Sequence, residues 1–242
     1  MQALIAIVIG FTLGLLGGGG TILTVPALIY LFHIEPKTAI ANSLLVIGCS
    51  TLIASITSIF RSTLPVRSIL SFAVFAMLGA FLSAKFLAVL ISGELQLSLF
   101  GILVLVVATS MLFEQKVFNL DFISAKEAWI LGLLIGIVTG LVGVGGGFLV
   151  VPVLHYALKL PMKQAASASL IVIALQSLSG FTGYMMTTQL DYKFAITFTA
   201  YLLIGIFAAS FLANKLNNTT LKRIFAILLL VMGCFILWSR LH

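Results

Sequence analysis

Charged residues divide this chain into eight long runs that carry no charge. The runs cover residues 1–34, 38–60, 68–84, 95–113, 128–158, 164–190, 194–214 and 224–239. A helix needs roughly 20 apolar residues to cross a bilayer core about 30 Å thick, and each run approaches or exceeds that length. The sequence therefore predicts an all-α polytopic membrane protein with eight hydrophobic segments. Membrane strands are excluded because the alternating pattern of a barrel is absent.

The composition excludes a soluble domain. Of the 242 residues, 62% are hydrophobic and 8% are charged, whereas soluble domains are about 25% charged. The net charge of +7 does not indicate nucleic-acid binding, because the basic residues fall between apolar runs rather than along one stripe. Cys49 and Cys234 lie inside apolar runs, so they form neither a disulfide framework nor a metal-binding motif.

The two halves of the chain repeat one another. A shift of 126 residues aligns GFTLGLLGGGGTILTVPALIY, from Gly10, with GIVTGLVGVGGGFLVVPVLHY, from Gly136, and 18 of the 43 positions from residue 10 to residue 52 are identical. Shared hydrophobicity alone would not reproduce the glycines and the proline. We predict two homologous four-segment units, with a first repeat unit over residues 1–113, a polar linker over 114–127 and a second unit over 128–242.

Each unit begins with an unusually long apolar segment. Residues 2–33 and 128–158 are each about 30 residues long, which is too long for one straight crossing at 1.5 Å per residue. Glycine clusters at residues 17–20 and 143–147 interrupt them, and a glycine weakens a helix by about 1 kcal/mol relative to alanine. We expect two half-helices joined at a glycine tip, forming either a discontinuous span or a re-entrant hairpin.

The basic residues of the loops discriminate between these two arrangements, because cytoplasmic loops are enriched in Lys and Arg. If all eight segments cross, the basic residues divide seven to six between the faces, whereas they divide nine to four if segments one and five are re-entrant. The uneven division favours hairpins and therefore inverted repeats. It places both termini and the Lys193 loop outside, and the loops at residues 61–67, 114–127 and 215–223 in the cytoplasm.

The glycine tips are the predicted substrate site. A helix N-terminus carries unpaired N–H groups and the positive end of the helix dipole, so it attracts anions. Two such tips that enter from opposite faces would meet near the midplane of the membrane. The alternative is that the glycines only allow tight helix packing, which we favour for outer glycines such as Gly10 and Gly14. The candidate residues at the tips are Gly17, Gly18, Gly19, Gly20, Thr21, Gly143, Gly145, Gly146 and Gly147.

Polar side chains that follow each glycine cluster are further candidates for substrate binding. They are Asn42, Ser43, Ser169 and Gln176. Neutral donors suit a small oxyanion, while the alternative is that these side chains bond neighbouring helices or their own i−4 carbonyls. No acid lies at the centre of a span. A carboxylate relay for protons is therefore absent there, and a cation substrate would lack a counter-charge.

The repeated motifs resemble those of the sulfite exporter TauE/SafE family of membrane transport proteins. The resemblance rests on GLLGGGGTILTVPAL and GLVGVGGGFLVVPVL, followed by KTAIANSL and KQAASASL, and it covers nearly the whole chain. It implies a multi-pass carrier of the prokaryotic plasma membrane that moves sulfite, sulfonates or related sulfur-containing organic anions. The shared motif positions correspond to Gly17, Gly19, Gly20, Pro26, Gly143, Gly145, Gly146 and Pro152.

The expected function is thus secondary transport of a small sulfur-containing anion. Two alternatives stay open: an anion channel that uses the glycine tips as a filter, and a transporter of a non-sulfur organic anion. We do not expect an enzyme, because the motifs H-E-x-x-H and G-x-S-x-G are absent. The expected partners are a small anionic substrate and the lipid bilayer. Nucleic acid, cofactors and metals are not expected, and a homodimer is left open.

Overall fold

The computed structural model describes residues 1–61, 66–112, 128–185, 191–213 and 215–241, and every regular element in these ranges is a helix. A 3₁₀ turn at Gly17–Gly20 joins the first two helices, and π turns lie at Ala27–Leu31 and Ser83–Leu87. The predicted linker at residues 114–127 lies outside the described residues, as do residues 62–65 of a loop predicted to be cytoplasmic. The α-helices are α1 (Gln2–Leu16), α2 (Thr21–Pro26), α3 (Pro36–Arg61), α4 (Val66–Leu82), α5 (Ala88–Leu90), α6 (Gly93–Leu112), α7 (Ala128–Val142), α8 (Gly147–Tyr156), α9 (Met162–Tyr184), α10 (Tyr192–Ala213) and α11 (Asn218–Leu241).

Seven segments of the described chain are long and apolar enough to cross a membrane, when Gln2–Leu31 is counted as one. The remaining predicted segment, at residues 128–158, is present as two shorter helices, α7 and α8. Between them Gly143, Gly145 and Gly146 have φ values of 71°, 64° and 69°. A right-handed helix cannot continue through that left-handed conformation, which glycine adopts at little cost.

Helices α3 and α9 form the centre of the protein. In their most apolar stretches 72% and 67% of the residues are buried, against 33% in α10 and in α11. The outer helices instead expose large apolar side chains, such as Phe211 of α10, which is 73% exposed. An apolar outer surface of this kind fits a chain whose surroundings are lipid.

The sequence repeat is reproduced in the packing of the helices. In the first half, the backbone of Gly10 on α1 lies directly against the backbone of Leu202 on α10. In the second half, Gly136 on α7 lies in the same way against Ala76 on α4. Each residue of the second contact is the repeat equivalent of a residue in the first, at an offset of 126. The glycines lack a Cβ, so these helices approach to backbone contact.

Helix α4 runs parallel to α7. Gly132 packs on Phe72 near the start of both helices, and Gly140 packs on Ala80 near the end of both. Trp129, at the start of α7, also lies beside Phe75 of α4, with ring centroids 5.3 Å apart. Residue numbers therefore increase in the same direction along the two helices.

Helix α4 also runs parallel to α9. The Ser179 hydroxyl donates a hydrogen bond of 2.9 Å to the carbonyl of Met77, and further along both helices Gly183 packs against Ala84. Since α7 and α9 both run parallel to α4, they run in the same direction as each other. Helix α8, which connects them, must run back, so α7 and α8 form a hairpin, hereafter the second hairpin (residues 128–156).

The two ends of residues 2–31 lie beside the same helix. At one end Gln2 Nε2 donates a hydrogen bond of 3.2 Å to Thr197 Oγ1, near the start of α10. At the other end Phe32, the residue after this stretch, packs against Phe194 near the start of α10, with ring centroids 5.4 Å apart. The chain from α1 through α2 therefore leaves from and returns to one end of the helix bundle. We call it the first hairpin.

Helices α6 and α11, the last described helices of the two halves, run antiparallel. Gly101 of α6 packs against Leu237 of α11, and Gly233 of α11 packs against Leu105 of α6. Residue numbers thus increase along one helix as they decrease along the other.

Candidate substrate site at the two glycine turns

The first glycine turn reverses the chain between α1 and α2. Gly17 has a φ of 65°, which ends α1. After the turn, the backbone of Gly20 lies against the backbone of Leu13, one turn before the end of α1. Thr21 stabilises the turn locally, because its hydroxyl donates a hydrogen bond of 2.7 Å to the carbonyl of Gly18.

The second glycine turn also reverses the chain, with a different local geometry. Gly146 is in the left-handed conformation immediately before α8, and its carbonyl accepts the N–H groups of Leu149 and Val150, both at 2.9 Å. Gly146 lies against the Thr139 side chain of α7. Thr139 is the repeat equivalent of Leu13, so both turns fold back onto the same position of the preceding helix.

The two turns meet inside the protein. The backbone of Gly18, in the first turn, lies directly against the backbone of Gly147, where α8 begins. All the residues of both turns are buried, and none of them carries a charged side chain. The start of α8 therefore directs the positive end of its dipole into a buried, uncharged region that two glycine backbones share.

Two equivalent serines hold each turn to the other half of the protein. Ser43 on α3 donates a hydrogen bond of 2.9 Å to the carbonyl of Gly143. Ser169 on α9 accepts a hydrogen bond of 3.2 Å from the N–H of Gly18. Ser43 shares its single hydroxyl hydrogen with the carbonyl of Ile40 on its own helix, and Ser169 donates to the carbonyl of Ala166, both at 2.8 Å. Both serines are fully buried. Each turn is thus fixed by the central helix of the opposite repeat.

Gln176 and Ser177 place two unpaired polar atoms beside Gly145. Gln176 Nε2 donates a hydrogen bond to the carbonyl of Gly145, and Ser177 Oγ lies 2.8 Å from the position of a Cβ on that glycine. Gln176 Oε1 and Ser177 Oγ are buried without a hydrogen-bond partner. Buried polar atoms are usually paired, so these two atoms are available to a ligand at the second turn.

Asn42 stands apart from the other predicted site residues, which the structure brings together at the turns. Its Nδ2 donates a hydrogen bond of 3.0 Å to the carbonyl of Thr38. The side chain lines a cavity of about 430 Å³, hereafter the α3–α10 cavity. The other residues that line it are Phe32, Ile34, Thr38, Asp191 and Phe194.

Sequence reasoning missed this cavity because its residues come from both halves of the chain without being repeat equivalents. Phe32 aligns with Leu158, and Phe194 aligns with Ser68. The sequence signal for Asp191 is a carboxylate at the end of an apolar segment, whereas only carboxylates at the centres of segments were considered. Among the described residues, no three His, Cys, Asp or Glu side chains come close enough to hold a metal ion.

Comparison with known proteins identifies the family. Residues 2–236 match the family described as Sulfite exporter TauE/SafE. The chain belongs to the sulfite exporter TauE/SafE family. The family match covers both hairpins and nearly all of the chain, as the repeated glycine motifs led us to expect. No solved structure matches the chain.

Similar proteins from bacteria and an archaeon agree with membership of the TauE/SafE family. A probable membrane transporter protein of Xylella fastidiosa (strain 9a5c) is 30% identical, over 95% of this chain and 91% of the relative. One of Methanocaldococcus jannaschii is 29% identical, over 96% and 94%. The probable membrane transporter protein YunE of Bacillus subtilis is 25% identical, over 99% and 98%. This TauE/SafE chain is therefore a multi-pass transporter of the cell membrane.

Proposed function

We propose that the protein is a secondary carrier for small sulfur-containing anions, such as sulfite and sulfonates, that bind between the two glycine turns. The observation that carries this proposal is the direct contact of Gly18 with Gly147. It brings a turn from each half into one buried, uncharged place beside the N-terminus of a ten-residue helix. Backbone N–H groups in such a place favour an anion over a cation.

Of the predicted ligand groups, the backbone N–H groups of residues 19–21 and 145–147, that of Thr21 already donates to the carbonyl of Gly18. We therefore propose the N–H groups of residues 19–20 and 145–147 as the ligands. Ser43, Ser169 and Gln176 support them by fixing the turns. An oxyanion accepts hydrogen bonds from N–H and O–H groups without needing a full counter-charge. The absence of a basic side chain in the turns fits a carrier, since a transported anion must also be released.

We further propose that both hairpins are re-entrant and that the two repeat units are inverted in the membrane. The parallel course of α7 and α9 supports a second hairpin that returns to its own face. The hydrogen bond between Gln2 and Thr197 supports the same arrangement for the first hairpin. The antiparallel packing of α6 and α11 supports inversion, because equivalent helices of an inverted repeat run in opposite directions.

This arrangement suggests how the carrier alternates between its two faces. While Gly18 and Gly147 are in contact, a substrate has no room between the turns. The turns must separate for binding, and one serine bond links each turn to the opposite half. Separation of one turn at a time would open the site to one face at a time, which is the requirement for a carrier rather than a channel.

The decisive experiment is flux into liposomes that contain the purified protein. The substrates are labelled sulfite, thiosulfate, sulfoacetate, 2-aminoethanesulfonate and simple carboxylates, with imposed gradients of pH and of membrane potential. A carrier gives saturable flux and exchanges label against unlabelled substrate on the other side. Flux that does not saturate and shows no exchange would indicate a channel. If the protein transports none of these anions, the proposed site is contradicted.

A further inference from the structure

We infer that the α3–α10 cavity binds a small organic ammonium group. The cavity lies between the start of α3 and the start of α10, and its volume is about 430 Å³. The inference rests on two lining residues that carry acceptor atoms, Asn42 and Asp191, and on the two phenyl rings of its wall.

The first observation is the unpaired amide oxygen of Asn42. The side chain is 2% exposed. Its Nδ2 already donates to the Thr38 carbonyl, which fixes the orientation of the amide, since an oxygen could not bond that carbonyl. Oδ1 is buried without a partner. A buried acceptor requires a donor, so a ligand that satisfies Asn42 must carry N–H or O–H groups.

The second observation is the negative charge at the mouth of the cavity. Asp191 Oδ1 accepts a hydrogen bond of 3.0 Å from the N–H of Phe194, which holds this carboxylate in place before α10. Thr38 Oγ1 donates to Glu35 Oε2 at 3.2 Å, so the lone pairs of that hydroxyl are left for a donor. An anion would be repelled by the Asp191 carboxylate of the cavity and by that of Glu35, which is bonded to the lining residue Thr38, whereas an ammonium group would be attracted by both.

The third observation concerns the walls of the cavity. The rings of Phe32 and Phe194 lie edge to face with centroids 5.4 Å apart, and Ile34 completes an apolar wall. Aromatic faces attract organic cations through cation–π interaction. A space of about 430 Å³ with apolar walls suits an alkylammonium group better than a bare metal ion, which prefers several oxygen ligands.

The lysines nearest in sequence do not line this cavity. Neither Lys37 nor Lys193 is among its lining residues, and the stem of Lys37 packs against Gly93 at the start of α6. Neither lysine side chain therefore fills the cavity.

The ammonium group could come from two sources. One is a separate amine. The other is the cationic end of a zwitterionic substrate whose anionic end lies at the glycine turns, and this source rests on the proposed function. Asn42 and Ser43 are consecutive on α3, so a single helix carries the cavity on one side and the first-half contact to the glycine turns on another.

The test is ligand binding to the full chain in lipid nanodiscs, measured by titration calorimetry. The probes are ethylammonium chloride, sodium ethanesulfonate, 2-aminoethanesulfonate and sodium chloride. Asp191→Asn removes the charge and keeps a residue that caps a helix well, while Asn42→Leu removes the unpaired oxygen. Glu94→Gln, an acid outside the cavity at the start of α6, is the matched control.

We expect ethylammonium to bind the parent chain and the Glu94→Gln variant alike, and to bind the Asp191→Asn and Asn42→Leu variants about tenfold more weakly. If the Gly146→Val variant also binds 2-aminoethanesulfonate more weakly, one zwitterion spans both sites. If the affinity falls only in the two cavity variants, the amine binds separately. The inference is overturned if ethylammonium does not bind, binds the two cavity variants normally, or is displaced by sodium. Anion flux carried by the Asp191→Asn variant tests the glycine turns without the cavity. Failure of either proposal can therefore be recognised.

Discussion

Ser43 of the first half donates a hydrogen bond of 2.9 Å to the carbonyl of Gly143 in the second half, one hundred residues later in the sequence. Its repeat equivalent, Ser169, makes the reciprocal link to the first half through the N–H of Gly18. The pair links the two halves of the chain at their glycine turns. Each unit supplies the residue that fixes the glycine turn of the other.

Replacement of these serines should weaken the protein and slow transport together. Ser43→Ala and Ser169→Ala each remove one buried hydrogen bond between the halves, which is worth about 1 kcal/mol. We expect both variants to unfold at lower temperature in detergent and to carry less substrate. Thr109→Ala is the control, because Thr109 is exposed and bonds only its own helix. Equal stability of all three variants would contradict the role assigned to the serines.

Alanine at the second turn should be far more harmful than alanine elsewhere in the same region. An alanine at position 146 would have to adopt a φ of 69°, and its Cβ would clash with Thr139. At Gly180 a Cβ would make ordinary contacts, the nearest at 3.6 Å to Leu44. We therefore expect Gly146→Ala to abolish flux and Gly180→Ala to preserve it. Both are measured in liposomes at matched protein content, and normal flux by Gly146→Ala would contradict the site.

Ser177→Ala separates a substrate contact from a structural contact. Ser177 Oγ is buried and makes no hydrogen bond in the protein, so its loss should leave the unfolding temperature unchanged or slightly raised. If the hydroxyl donates to the substrate, the KM for transport should rise about tenfold. Unchanged KM would remove Ser177 from the proposed site. A marked loss of stability would show that the hydroxyl has a structural partner.

The first hairpin predicts that residues 2 and 197 lie on the same face of the membrane. Gln2→Cys and Thr197→Cys, in a chain whose Cys49 and Cys234 are replaced, should react with an impermeant maleimide added from outside. A short bis-maleimide should also join them, since the parent side chains are 3.2 Å apart. Labels on opposite faces at residues 1 and 36 would rule out the hairpin. Labelling from the inside only would reverse the predicted orientation.

The sequence was sufficient to predict where the two long apolar segments are interrupted. Gly17 and Gly143 interrupt helices at equivalent places because a glycine cluster leaves a clear mark in an apolar segment. The partners of the outer glycines were not predictable, because a Gly-x-x-x-Gly pattern does not say which helix it meets. Asn42 was expected beside the substrate at the turns. It lines the α3–α10 cavity because Asn42 and Ser43 point in different directions from α3, and the amino-acid sequence does not encode which of them faces the turns.

The contact of Gly10 with Leu202 also constrains the order in which the protein can be assembled. During synthesis α1 leaves the ribosome long before α10, whose contact residue follows 192 positions later (202 minus 10). Until then the glycine face of α1 has no backbone to pack against. The first hairpin can reach its final position only after nearly the whole chain has been inserted, so a nascent chain that stops before α10 should leave its N-terminal segment unprotected from proteases.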